Sequence, residues 1–139
     1  MKTKKLKYEP EFNFELLGIS STDDDYRLSW HLGKLTDSEF IRLDDLEISD
    51  DRIEEFQVFS VYESAEITGA SSIKLVSNKA NIGFLVSELK NIDFFILIFD
   101  VDDDDFINLF SSQLKSVESI TGVFKLEPEK LKSKEKLLF

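Results

Sequence analysis

Six large apolar side chains in an unbroken run, Phe94-Phe95-Ile96-Leu97-Ile98-Phe99, stand between Asp93 and Asp100. Successive side chains of a strand point to opposite faces, so a run without alternation predicts a central strand covered on both sides. It is far too short for a bilayer span, which takes about 20 apolar residues as a helix. Elsewhere the apolar spacing is regular. Glu11 to Ile19 puts Phe12, Phe14 and Leu16 at every second position and predicts a strand with one face on the core, ended by Gly18 and Ser20-Ser21. Asp24 to Leu35 then carries Leu28, His31, Leu32 and Leu35 on one helical stripe, with Trp30 at its border and Thr22 or Asp23 as the N-cap.

Glu39 to Ile48 predicts a second strand, interrupted at Asp44-Asp45 by a bulge or a turn. Glu55 to Glu63 and Ser72 to Ser77 alternate again, and the short link Glu66 to Ser71, with Gly69, makes them antiparallel neighbours. Asn78 to Asn81 is a polar loop, and Phe84-Leu85-Val86 a short extended piece before the central strand. A second helix follows from about Asp103 to Ser116, with Phe106, Ile107, Phe110 and Leu114 at helical spacing. Ile120 to Leu126 closes the series as a strand. The order predicts an α+β fold: a single-layer, mostly antiparallel sheet of about five to six strands, with both helices on one face. It reads as one domain over 1–139, with a basic N-terminal arm (1–8) and a Lys-rich tail (128–139) whose Leu137-Leu138-Phe139 looks like an exposed apolar cluster.

Composition supports a folded chain, since 42% of residues are hydrophobic and 13 are Phe. The absence of cysteine excludes disulfides, thiolate metal sites and a Cys nucleophile, and fits a reducing cytosol. No apolar signal core follows the basic amino terminus, so a cytoplasmic protein is expected. The net charge of −11 hides a polarity: residues 9–124 hold 25 acids against 8 bases, whereas the two ends hold 9 Lys against 3 Glu. A body so acidic repels phosphate backbones, which argues against nucleic acid as the main ligand.

Candidate chemistry is thin. Asp102 to Asp105 offers hard oxygen ligands for calcium or magnesium, but lacks the alternation, the mid-loop Gly and the last-position Glu of an EF-hand. Aspartates ahead of a helix also cap it and offset its dipole, and Asp23-Asp24-Asp25 repeats that pattern. We therefore expect neither a bound metal nor a cofactor. His31 is the one histidine, next to Arg27 by one helical turn; without a Cys or a GxSxG elbow it reads as structural. Five scattered glycines form no phosphate loop. Glu88 and Asp93 flank the link into the central strand, where a carboxylate pair could work as acid and base, or else accept backbone N–H groups or pair with Arg27 or Arg42.

Those two carboxylates also carry a resemblance. Val86-Ser87-Glu88-Leu89-Lys90-Asn91-Ile92-Asp93-Phe94 resembles the signature of the small bacterial IPExxxVDY family. Glu88 and Asp93 match outright, Val86, Ile92 and Phe94 are near-isosteric, and Ser87 replaces the family's proline. Leu17 to Ser21, Asp25 to Trp30 and Asp45 to Ile48 are similar as well, so the likeness extends over most of 12–100. The family has no assigned activity; the resemblance implies a compact intracellular domain and brings no catalytic residue with it. Two functions are therefore expected from the residues. One is a non-enzymatic module for a protein partner, monomeric or weakly dimeric and away from membranes, using a sheet edge or the tail. The other is a small-molecule or hydrolytic site built from Glu88, Asp93, Arg27 and His31, with Trp30 and Arg42 as further contacts.

Overall fold

The computed structural model describes residues 13–49 and 54–139. Along the chain run β1 (Phe14–Ser21), α1 (Asp25–Thr36), β2 (Ile41–Arg42), β3 (Leu46–Ile48), β4 (Gln57–Phe59), β5 (Val61–Ser64), β6 (Ser72–Ser77), β7 (Phe94–Phe99), α2 (Asp104–Lys115) and β8 (Ile120–Leu126). Two 3-10 turns, Pro128–Lys130 and Lys134–Leu137, follow. Six strands form a sheet in the order β2-β5-β6-β7-β1-β8 with every neighbouring pair antiparallel, and β3 pairs with β4. The chain has the α+β fold with the mostly antiparallel sheet that its pattern predicts.

The apolar run is β7, third from one edge of the sheet, held between β6 and β1. Its even-numbered side chains, Phe94, Ile96 and Ile98, meet the helices; Phe95 and Leu97 meet the other face. Both helices are entered through an aspartate: the side chain of Asp24 accepts from the backbone N–H of Arg27, and that of Asp103 from Phe106. Each satisfies an orphan donor and contributes about 1 kcal/mol. The expected cap of the first helix, Thr22 or Asp23, is thus corrected by one residue, because Asp23 turns its carboxylate toward Ser119 instead. Leu28 and Leu32 of α1 and Ile107, Phe110 and Leu114 of α2 bury against Leu17, Ile19, Ile73, Leu75, Ile96 and Ile98.

Two expected strands are each divided. Arg42 faces Tyr62 and Leu46 faces Phe59, which sets three residues of one strand against two of the other. The extra residue lies at the bulge that Asp44-Asp45 suggests, and an Arg42–Asp45 ion pair at 2.8 Å crosses it. Beyond the bulge the ribbon continues as β3 and β4, and Phe59, Leu46 and Ile48 pack on the sheet face away from the helices. Among the described residues no further strand and no α-helix covers the rest of that face. Leu85, Val86 and Ile92 from the loop 78–92, with Leu131 and Leu137 from the carboxy-terminal segment, pack there against Leu16, Val76, Phe95 and Leu97. The tail is therefore part of the fold. Leu137 is only 2% exposed, which corrects the expected exposed cluster: Leu138 and Phe139 alone remain half-exposed. The expected basic arm (1–8) lies outside the described residues.

Candidate functional site

The segment 86–93 is a loop fastened from several sides. Asn78, fully buried just after β6, holds it: its side-chain amide donates to the carbonyls of Leu89 (2.9 Å) and Ile92 (2.8 Å) and accepts from the N–H of Val86 (2.8 Å). Its main chain adds bonds to Asp93 and Leu85. Within the loop, Leu89 N–H donates to Val86 and Ile92 N–H to Leu89, two consecutive turns that bury Val86 and Ile92 and leave Ser87 and Glu88 outside. The short extended piece expected at Phe84–Val86 reduces to one bridge, Lys79 with Phe84.

Glu88 and Asp93 serve different neighbours. Glu88 accepts the N–H of Lys132 at 2.5 Å, with the Ser133 hydroxyl at 3.5 Å, and so ties the loop to the carboxy-terminal segment. One oxygen of Asp93 accepts the N–H of Ser21 at 2.8 Å and the other pairs with the Lys79 ammonium at 2.7 Å, which joins the ends of β1 and β6 at the start of β7. Neither carboxylate contacts the other's partners, and Arg27 and Arg42 bond to neither. Phe94 is buried among the helix-side core.

Arg42, Arg27 and His31 divide between two polar clefts. One, of about 520 Å³, lies where β1, β6 and β7 meet the α1 entry; Arg42, Lys79 and Asp93 line it with Asp23, Asp24, Asp25 and Asp45. Arg42 pairs with Asp45 and, at 3.8 Å, with Asp25. The hydrogen bond and charge of Asp45 raise its pKa above the ordinary arginine value, so the guanidinium is a permanent cation already engaged. The second cleft, of about 450 Å³, brings Arg27 and His31 together with Asp23, Glu118 and Ser119. There Ser119 Oγ donates to Asp23 Oδ2 at 2.5 Å, and His31 Nε2 lies 3.3 Å from that same oxygen. A serine, an aspartate and a histidine thus meet, but with the carboxylate in the middle. In a nucleophilic triad the imidazole must stand between the other two to take the hydroxyl proton. Here the trio clamps the α1 entry to the turn before β8, where Thr22 N–H also donates to the Ser119 carbonyl. No family model, no curated protein and no solved structure matches this chain.

Among the described residues no three His, Cys, Asp or Glu side chains are placed to hold a metal ion, and none of the helices is long and apolar enough to cross a membrane. Of the aspartate run, Asp103 caps α2, and Asp104 and Asp105 lie in its first turn. Asp100, with φ of 51°, accepts from the Ser71 hydroxyl at 2.8 Å.

The last candidate, Trp30, belongs to a different surface. Tyr26 and Trp30 lie one turn apart on the outside of α1, 71% and 52% exposed. They line a groove of about 520 Å³ with Ser29, Gly33, Lys34, Asp37, Ser38, Glu39 and Phe40. The groove exists because the chain turns back sharply after α1. Asp37 takes the left-handed conformation (φ 52°), and the N–H groups of Asp37 and Ser38 both donate to the Gly33 carbonyl. A Cβ on Gly33 would meet the Ser38 carbonyl oxygen at 2.8 Å, so only glycine permits that approach. The Lys34 ammonium sits 5.0 Å from the Trp30 ring centre, and His31 packs edge-on to the same ring at 5.2 Å. Helical spacing signals Tyr26 with Trp30; nothing local signals Phe40, which arrives by way of the turn.

Proposed function

We propose that this chain is a non-enzymatic protein-interaction module and that its contact surface is the aromatic groove along α1. The observation that carries this is the exposure of Tyr26 and Trp30 on a helix whose inner face is already filled by Leu28 and Leu32. Two large rings facing water are unnecessary for the fold. Tyr and Trp are the residues that anchor protein interfaces, because they bury much apolar area at little conformational cost. The hydrolytic alternative lacks support of this kind: Glu88 holds a backbone turn, Asp93 holds a strand end, and no imidazole reaches a nucleophile. The resemblance to the IPExxxVDY family, which has no assigned activity, is in keeping with a binding module. The tail version loses its appeal because Leu137 is buried.

Affinity capture from the native cell with the wild type and with a Tyr26→Ser/Trp30→Ser double variant tests the proposal, with thermal melts to show that both are folded. Proteins depleted about tenfold or more on the variant support it, as expected when anchoring aromatics are truncated. An identical set recovered by both chains overturns it.

A further inference from the structure

The geometry points to an arginine-bearing segment of the partner as the occupant of this groove, its guanidinium laid on Trp30 and its N–H fork directed at Asp37 and Glu39; this rests on the groove being the contact surface. Three observations carry it. Asp37 and Glu39 line the same groove as the aromatic rings and are exposed, and neither carboxylate makes a hydrogen bond or ion pair among the described residues. A partner that covered them with apolar groups would strip water from two charges and return nothing. The groove therefore selects for a cation.

The ring itself already accommodates one. Lys34 places its ammonium 5.0 Å from the Trp30 centroid, so one face of the indole is used by a positive charge from the same helix. Aromatic faces attract cations through their quadrupole, tryptophan most strongly. With Lys34 counted, the groove still carries two carboxylates against one ammonium, on a chain of net charge −11. Complementarity of charge thus favours a basic partner both at the groove and in the approach to it. Between the two basic side chains, arginine fits better. Its planar, weakly hydrated head can stack on an indole and donate to two carboxylates at once, whereas an ammonium does either as a point charge. Tyr26 and Phe40 would then receive the apolar neighbours of that arginine.

The chain holds a single tryptophan, so its emission reports on this groove alone. The experiment titrates the whole protein with acetyl-Gly-Arg-Gly-Arg-Gly-amide and with the same peptide carrying lysine or neutral citrulline, at matched ionic strength. We expect a saturable change of Trp30 emission with the arginine peptide. Binding should be about fivefold weaker or more with lysine and absent with citrulline, the isostere without charge. Asp37→Asn/Glu39→Gln should weaken the arginine response about tenfold or more, the worth of one charge-assisted pair. Asp104→Asn/Glu129→Gln, in a distant acidic cleft lined by Glu15, Asp100 and Glu127, should leave it unchanged. A response equal for the three peptides, or insensitive to the groove carboxylates, overturns the inference. Cellular capture with Asp37→Asn/Glu39→Gln separates the two claims. Partners lost with Tyr26→Ser/Trp30→Ser but retained with this variant would leave the groove as the contact surface and remove arginine from it.

Discussion

The two faces of the sheet are covered by different means. On one, two helices lie over Ile73, Leu75, Ile96 and Ile98, and their backbone groups are satisfied within each helix except at the ends, where Asp24 and Asp103 serve. On the other, a loop and the carboxy-terminal segment do the covering, and each satisfies only part of its own main chain, through short turns. A buried N–H or carbonyl without a partner costs about 1–3 kcal/mol, so irregular cover requires side chains that reach across to it. Asn78 supplies three such bonds, Asp93 one with an ion pair, and Glu88 one to the tail. The helix face is held by apolar volume, the loop face by a few polar side chains over an apolar floor.

If that contrast is right, the costliest single change on the loop face is a polar one. Asn78→Ala leaves the N–H of Val86 and the carbonyls of Leu89 and Ile92 without their partner in the interior. We expect a loss of about 3–5 kcal/mol in urea unfolding, at least equal to the roughly 2–4 kcal/mol of Leu32→Ala on the helix face. A cost under about 1 kcal/mol would mean that water replaces the amide and that the loop is held by its apolar contacts.

The tail provides the next comparison. Leu137 and Leu138 are neighbours in sequence, yet one is buried and the other half-exposed. Leu137→Ala should cost about 2–3 kcal/mol, and Leu138→Ala stay within about 0.5 kcal/mol. Equal small effects in a thermal melt would detach the tail from the fold. The two signature carboxylates should then rank in the order of their burial. Asp93→Ala removes an acceptor from Ser21 and the partner of Lys79, at a side chain 20% exposed, for about 1–3 kcal/mol. Glu88→Gln, at the surface, should cost less than about 1 kcal/mol. The reverse order would make Glu88 the more important fastening.

How much of this could be read from residues alone follows from the same contrast. The helices are written in periodicity and β7 in an unbroken apolar run: Phe106, Ile107, Phe110 and Leu114 repeat at helical spacing, Phe94–Phe99 is apolar throughout, and β8 has the predicted bounds, Ile120–Leu126. Where periodicity is interrupted the reading blurs, as at Asp44-Asp45, where one expected strand divides into β2 and β3. Cover by an irregular segment leaves no period at all. Asn78 looks like any loop asparagine until Leu89 and Ile92, 11 and 14 residues on, fold back to it. The same holds for function. Glu88 and Asp93 were legible as a pair near a buried strand, but whether two carboxylates do chemistry or fasten backbone depends on what faces them. Trp30 was legible as a border residue and a possible contact but not as part of a groove, because Phe40 and the carboxylates beside it are placed by the left-handed turn at Asp37.

The helix face holds one polar group that sharpens the contrast at smaller amplitude. Tyr62, on β5, is buried in the helix-side core, with the Arg42 guanidinium 5.7 Å from its ring centre. Burial, and then the negative charge of Asp25, push its phenol above the ordinary 10.0, while Arg42 pulls the other way and is outweighed. Because the folded state holds the proton more tightly than the unfolded chain, this stabilisation is complete below about pH 10 and declines as pH rises toward the folded value. The wild type should therefore lose melting temperature above pH 10 more steeply than Tyr62→Phe, whose ring cannot ionise. Near neutral pH the two should differ by less than about 1.5 kcal/mol, since volume is nearly conserved. Parallel declines would mean that alkaline unfolding begins elsewhere and that the phenol is better solvated than its burial implies.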